Sequence, residues 1–450
     1  MDLITSAVVA AIEHGAPGLA PAAVASHYQR LKQAIAKCDS AAAILAAIAA
    51  LEAEPGNTQL QLALSAALAT ANVPDDMATL FAAQGVLDAL QRPPAPLPEV
   101  ETASAPADRS TVVSNYAVVK VYFATDRQRD LGKPPAQRFS SERSLTGGNG
   151  GSDGALSYGS CDISIPRDHR MGQLESPALW RLEFREDPAK HVVLLDATVQ
   201  DYDSFFAALK TQVRAAAGKS AFIFVHGYNV TFEDAARRTG QMAYDLGFDG
   251  APVFYSWPSR GDIAAYTIDE NNIEWSTPHL TAFLADFLAN TAAAQVYLIG
   301  HSMGNRGMTR AVAELLATQP LLAQQITEII LTAPDIDAAV FKHDIAPKLA
   351  GARHPVTLYA SSQDLALAAS KAVHGYPRAG DSGAGMLIMA GVETIDATGV
   401  DTSFMKHAYF AEKRSALSDM FYLIHNNARA DQRFLDPVDT VAGRYWTFKP

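Results

Sequence analysis

Gly300-His301-Ser302-Met303-Gly304 sets a hydroxyl between two glycines, after the apolar run QVYLIG (295–300) and ahead of an amphipathic stretch opening at Met303. A strand that turns sharply into a helix lifts the middle side chain clear of the sheet. It also sets that side chain at a helix N-terminus, which favours developing negative charge. The glycines let the turn bend and let the flanking chains pass close together. Such a serine is a nucleophile for acyl transfer, given a base to take its proton and N–H donors for the oxyanion. The five-residue pattern alone is common, and the strand before it and helix after it carry the assignment.

A second piece of the same chemistry follows the run AFIFVH (221–226), as His226-Gly227-Tyr228-Asn229. In sites of this kind the loop after an earlier strand gives one backbone N–H to the oxyanion, and the residue after the nucleophile gives the other. Tyr228 and Met303 are therefore the expected oxyanion-hole residues, with His226 as a brace for the loop. The orienting acid and the base should follow the serine in that order. Beyond Ser302 lie His343, His354, His374, His407 and His425. His343 falls in a helical stretch, His354 and His374 precede strands, and His425 reads as buried in the periodic run SALSDMFYLIH. His407, in TSFMKHAYF, comes after the last expected strand and before the terminal helix, where this topology carries its base. Asp364 in ASSQDLAL is the preferred acid and Asp335 in LTAPDIDAAV the alternative; either could instead cap the helix after it. This chemistry calls for no metal and no organic cofactor.

The scaffold for these residues divides into three stretches. Residues 1–92 are alanine-rich and read as short helices at 3–14, 21–37, 40–53, 57–72 and 76–91, punctuated by Gly15, Asp39-Ser40 and Pro55-Gly56. Residues 93–112, beginning PPAPLPEVETASAPADRS, have linker composition. Residues 113–450 alternate strand-like runs (117–124, 191–195, 221–226, 252–256, 295–300, 327–332, 355–360, 386–396) with helical stretches (231–246, 277–290, 303–318, 336–349, 364–373). In 277–290, Leu280, Phe283, Leu284, Phe287 and Leu288 recur at helical spacing behind the start signal Ser276-Thr277-Pro278. The alternation predicts an α/β protein, a mainly parallel, doubly wound sheet flanked by helices and preceded by a small all-α domain. The stretch at about 126–160, containing GGNGGSDG, reads as a surface loop.

Composition narrows the partners. The formal charge of −12 argues against general nucleic-acid binding, which needs a basic surface. Cys38 and Cys161 are too few for a disulfide framework or a zinc site. The opening MDLITSAVVAAIEHG lacks the positive start of a secretory signal, and AAAILAAIAAL (41–51) is too short to span a bilayer. The expectation is a cytoplasmic protein of bacterial type with no transmembrane segment.

The ordered blocks VYFATDR (121–127), YGSCDISIP (158–166), FVHGYNVTFEDAARR (224–238), FYSWPSRG (254–261), LIGHSMGNR (298–306), TAPDID (332–337), LYASSQD (358–364) and KHAYF (406–410) carry a resemblance. Together they resemble the bacterial α/β-hydrolase family known as a domain of unknown function, number nine hundred, over about residues 117–428. The resemblance implies an α/β-hydrolase fold with Ser302, Asp364 and His407 at the triad positions, and leaves the substrate open. The helical front stretch lies outside it, and its text LEAEPGNTQLQLALSAALA is loosely similar to small helical adaptor segments of bacterial multidomain proteins.

The expected activity is hydrolysis of small-molecule or polymer-end carboxylic esters through an acyl-enzyme. Residues 334–354 leave room for one helix and no lid domain, so short-to-medium acyl chains are expected, with 258–275 and the glycine-rich loop as the candidate covers. The rival expectations are a catalytically weak scaffold that recruits a protein partner through residues 1–92, and an acyltransferase using the same triad.

Overall fold

The computed structural model describes residues 3–13, 22–36, 41–70, 79, 83, 86, 115–145, 156–171, 174–176, 186–261, 265–362, 367, 370, 374–383, 385–398 and 416–448. The chain divides into two compact units, residues 1–114 with 176–187, and residues 115–175 with 188–450.

In the first unit, α1 (Leu3–Glu13), α2 (Ala22–Ile35), α3 (Ala41–Ala53) and α4 (Thr58–Thr70) bury one stripe each. Tyr28, Leu31 and Ile35 meet Ile44, Ile48 and Leu51, with Leu64 and Leu68 from α4 in the same core. These positions recur every three or four residues, the spacing of one helix face. A half-buried polar tie joins α2 to α3: Glu52 accepts from the Tyr28 hydroxyl at 2.8 Å and from Lys32 at 3.0 Å. Asn57 caps α4 by accepting from the amides of Gln59 and Leu60. The expected helix 76–91 and the linker 93–112 fall outside the described residues, apart from Thr79, Ala83 and Val86.

The second unit is built on a sheet whose strands are β1 (Tyr116–Thr125), β4 (Ser157–Pro166), β5 (Val193–Gln200), β6 (Ser220–Val225), β7 (Ala251–Ser256), β8 (Gln295–His301), β9 (Ile326–Thr332), β10 (Val356–Ala360), β11 (Val392–Asp396), β12 (Leu435–Thr440) and β13 (Gly443–Phe448). A separate hairpin pairs β2 (Arg127–Arg129) with β3 (Phe139–Arg143). The main sheet runs β12-β13-β11-β10-β9-β8-β6-β7-β1-β4-β5. From β13 to β1 every neighbouring pair is parallel, and the antiparallel pairs β1–β4, β4–β5 and β12–β13 close its two margins. Every residue of β6, β7 and β9 is buried, because helices cover both faces. Those helices include α5 (Tyr202–Ala215), α6 (Phe232–Asp245), α7 (Tyr266–Asn290), α8 (Gly304–Thr318) and α9 (Ala416–Asn426). Among the described residues no helix is long and apolar enough to cross a membrane.

The strand order has one consequence for function. From β6 the chain crosses to β7 on one side and then returns to place β8 on the other side of β6. The loops leaving the carboxyl ends of β6 and β8 therefore diverge, and the crevice between them is where open α/β sheets bind ligands.

Several elements differ from the sequence reading. The stretch 126–160 is not one loop, since it contains β2, β3 and the start of β4. Helix α5, capped by Asp201 on the Ser204 amide at 2.9 Å, and the hairpin β12–β13 were not expected. Helix α7 starts eleven residues before the predicted 277 and carries Pro278 inside it, so much of the expected cover 258–275 is helix. Its first turns bury Tyr266, Asp269, Asn272, Ile273 and Ser276, a mostly polar face that hydrophobic periodicity cannot register. The expected helix 336–349 begins at Ala338, with Asp337 as its N-cap, and has a π-type turn over Phe341–Ile345. The glycine-rich loop and most of the expected helix 364–373 lie outside the described residues.

The connection leaving β4 is pinned to α6 by a buried histidine. His169 Nδ1 lies 2.8 Å from Glu175 and Nε2 lies 2.7 Å from Asp245, and the side chain is 2 % exposed. Burial alone would push the imidazole pKa down, but the two carboxylates outweigh it and raise the ring to about 9. An unfolded histidine titrates near about 6.5, so the clasp contributes fully below that pH and is lost as pH rises through 9. We expect His169→Gln to cost on the order of 2–3 kcal/mol at pH 6 and little at pH 10. Denaturant titrations of both chains across that range check this, and a constant difference would contradict it.

Candidate active site

Ser302 occupies the turn between β8 and α8 with φ of +47°, a left-handed conformation that side chains other than glycine rarely adopt. The turn is held from several directions. The Ser302 amide donates to the Thr332 carbonyl at 3.0 Å, and the Ser302 carbonyl accepts from the amides of Asn305 and Asp335, each at 3.2 Å. Asn305 Nδ2 donates to the same carbonyl at 3.0 Å and to that of Thr332 at 3.2 Å. Met303, the other half of the turn, stands at the N-cap position of α8 and is buried. As a whole residue Ser302 is 3 % exposed, so most of it is already enclosed.

The glycines of the motif are required by close approach. A Cβ on Gly304 would collide with the His226 carbonyl oxygen, and one on Gly300 would collide with Asn305 Oδ1. A Cβ on Gly227 would come within 2.9 Å of Ser302 Cβ, so the loop after β6 lies directly against the nucleophile turn. Tyr228, in that loop, meets the Tyr266 ring edge-on at 5.4 Å between centroids.

His226 braces the loop, as expected. Its ring stacks on Trp257, Nδ1 lies 2.8 Å from the Gly227 carbonyl, and its own carbonyl accepts from Trp257 Nε1 at 2.7 Å. Burial first, and then the nearby Arg127 cation, hold its pKa well below the usual histidine range, so the ring is neutral.

Asp335 stands beside the nucleophile turn, but its carboxylate is already engaged. It is 1 % exposed and accepts from the Tyr266 hydroxyl at 2.5 Å and from Arg306 at 3.2 Å. It also accepts from the Ser370 hydroxyl and pairs with Arg378 at 3.3 Å. Arg306 continues to Glu270 at 2.6 Å, and Glu270 holds His374 Nε2 at 2.8 Å. Burial, followed by the Asp335 charge, raises the Tyr266 pKa, so the hydroxyl stays protonated and donates. None of Tyr266, Glu270, Arg306 and Arg378 was singled out from sequence. Arg306 ends the LIGHSMGNR block, the only signal that could have found it.

The family comparison agrees with this architecture. A family model described as alpha/beta hydrolase of unknown function (DUF900) matches residues 201–425, half of the chain. The chain belongs to this α/β-hydrolase family. Residues 1–122 match a second model, the Het-E N-terminal domain. No curated protein matches the chain.

Within the DUF900 segment, Asp364 and His407 lie outside the described residues. The other histidines beyond Ser302 are occupied elsewhere or exposed. His354 Nδ1 meets Glu328 at 2.5 Å, and His374 uses Nδ1 on the Ser370 carbonyl at 2.8 Å as well as Nε2 on Glu270. His425, exposed on α9 rather than buried in it, bonds the Leu246 carbonyl at 2.7 Å, and His343 is exposed in the π-type turn. No metal-binding cluster of His, Cys, Asp and Glu occurs among the described residues.

The close approach at Gly304 gives a test of the turn. Gly304→Ala should destabilise the folded chain by about 2–3 kcal/mol, because the methyl meets backbone that cannot yield. Gly351→Ala, where the nearest atom is 3.8 Å away, should be close to neutral. Denaturant midpoints of the two variants check this, and equal shifts would contradict it.

Proposed function

We propose that this DUF900 protein is a serine hydrolase that cleaves carboxylic esters of short-to-medium acyl chains through an acyl-enzyme. The observation that carries the reading is the left-handed Ser302 at the switch point of the sheet, at a helix N-terminus and against the loop that bears Tyr228.

In this mechanism His407 takes the Ser302 proton as the hydroxyl attacks the ester carbonyl, and the Tyr228 and Met303 amides receive the oxyanion. His407 then protonates the leaving alcohol, and water releases the acyl group by the reverse sequence. Asp364 orients the imidazole and stabilises its cationic form. Two observations support these partners. The carboxylate of Asp335 is filled by two arginines, a tyrosine and a serine, which leaves it poorly suited to an imidazole. His354, His374 and His425 each have a ring nitrogen committed to another group. A single helical segment between β9 and β10, with no inserted lid domain, supports the preference for small acyl groups. Residues 113–450 are proposed to carry the activity, and residues 1–92 to engage a protein partner.

A fluorophosphonate probe and an ester series test the reading together. The folded chain should be labelled, Ser302→Ala should not, and p-nitrophenyl butyrate should be turned over faster than the hexadecanoate. Folded protein that takes no label would favour a scaffold, and acyl transfer to an added alcohol in place of water would favour an acyltransferase.

The acid has its own test. Asp364→Asn should lower kcat by about 10⁴-fold with the fold intact, as for a lost orienting carboxylate. Asp335→Asn should act mainly on stability, because it leaves the buried Arg378 and the half-buried Arg306 undercompensated. Denaturation and steady-state kinetics on both variants check this, and the reverse pattern would make Asp335 the acid.

A further inference from the structure

Arg127, at the start of β2, is 1 % exposed, and among the described residues none of its hydrogen bonds goes to a carboxylate. Its guanidinium donates to the carbonyls of Val230 (2.7 Å), Ser259 (3.0 Å) and Ser140 (3.2 Å), and through Nε to Ser256 Oγ (2.8 Å). Burial pushes it down to about 10, with the more distant Asp269, Asp126 and Asp234 opposing, so it is charged at neutral pH. Asp269, on α7, serves the same two loops with the opposite polarity. Its carboxylate accepts from the amides of Arg260 (2.8 Å) and Asn229 (3.4 Å) and from the Ser259 hydroxyl (2.6 Å), while Ser259 Oγ accepts from the Val230 amide (3.1 Å). The cation gathers carbonyls and the anion gathers N–H groups of the loops at 226–231 and 256–260.

One chain of bonds leads from this clamp to the peptide beside Ser302. Ser256 Oγ accepts from Arg127, so its single proton is free to go to His226 Nε2, 3.1 Å away. Arg127 Nη2 faces the same ring nitrogen at 3.5 Å. Two donors directed at Nε2 require its lone pair, and a neutral ring then carries its proton on Nδ1. That proton meets the Gly227 carbonyl at 2.8 Å. In a trans peptide the carbonyl and the following N–H point in opposite directions, so fixing the Gly227 carbonyl fixes the Tyr228 N–H.

We infer that Arg127, Ser256 and His226 are positioning residues that set the orientation of the Gly227–Tyr228 peptide for oxyanion binding. This rests on the acyl-transfer reading, in which the Tyr228 amide holds the oxyanion. Without the relay the imidazole could take the other tautomer, and Nδ1 would then repel the Gly227 carbonyl. The peptide would turn, and a donor matched to the transition state would be lost while ground-state binding stayed.

The test uses the full chain, Ser256→Ala and Arg127→Lys, with Ser302→Ala as control. Both relay variants should lower kcat on p-nitrophenyl butyrate by about 10- to 100-fold with KM within about threefold. The inhibition constant of a trifluoromethyl ketone, which forms an oxyanion on the serine, should rise in parallel. Nitrogen-15 shifts of His226 in the unaltered chain should show the proton on Nδ1, and this decides even if a variant fails to fold. Wild-type kcat in either folded variant, or a proton on Nε2, overturns the inference. Activity surviving in Ser302→Ala would instead overturn the reading it rests on.

Discussion

The site depends on one residue being held where its backbone would not go unaided. A left-handed φ at a residue with a Cβ costs roughly 1–2 kcal/mol, and Ser302 adopts it at +47°. Individual backbone hydrogen bonds contribute about 0.5–1.5 kcal/mol each, and the turn gathers four on the amide and carbonyl of this residue. The excess fixes the conformation rather than merely allowing it. Two of those bonds come from Asn305 and one from the Asp335 amide, so the geometry of the nucleophile is tied to the segment after β9 as well as to its own helix.

Buried and half-buried charges hold the segments around the turn, bonding to backbone and to one another. Asp335, Arg306, Arg378 and Glu270 form a network in which each carboxylate has more than one donor. Such networks contribute less to net stability than to a single arrangement, because breaking one member strands another in a medium of low polarity. Arg127 and Asp269 apply the same principle to loops in place of charges. The loop after β6, which has no regular structure of its own before α6 begins at Phe232, is thereby held by side-chain hydrogen bonds in place of a ladder.

Much of the parallel sheet could be read from sequence because β6, β7, β8 and β9 are buried on both faces and appear as short, mostly apolar runs. The turn at Ser302 was legible for a related reason, since two glycines at that spacing are what the crowding by His226 and Asn305 demands. Strand β4 was missed by periodicity because it is built of small and polar residues; Gly159 must stay small to pass the Thr198 carbonyl and the Phe123 ring. The edge strand β12 was hidden by Pro437, which is tolerated at a margin where no further strand needs its N–H. The first turns of α7 were hidden by Asp269 and Asn272, which are buried because they bind the 256–260 loop rather than because they are apolar. The partners of Asp335 come from positions 266, 306, 370 and 378, and no local pattern links residues that only the fold assembles.

The central claim is that Ser302 becomes covalently acylated during turnover. Rapid acid quenching of the full chain during hydrolysis of p-nitrophenyl butyrate, followed by peptide mass mapping, tests this most directly. The account predicts a butyryl adduct on the peptide carrying Ser302, transient in the native chain. Steady turnover with that peptide unmodified at every quench time, or an adduct on a different side chain, would contradict it.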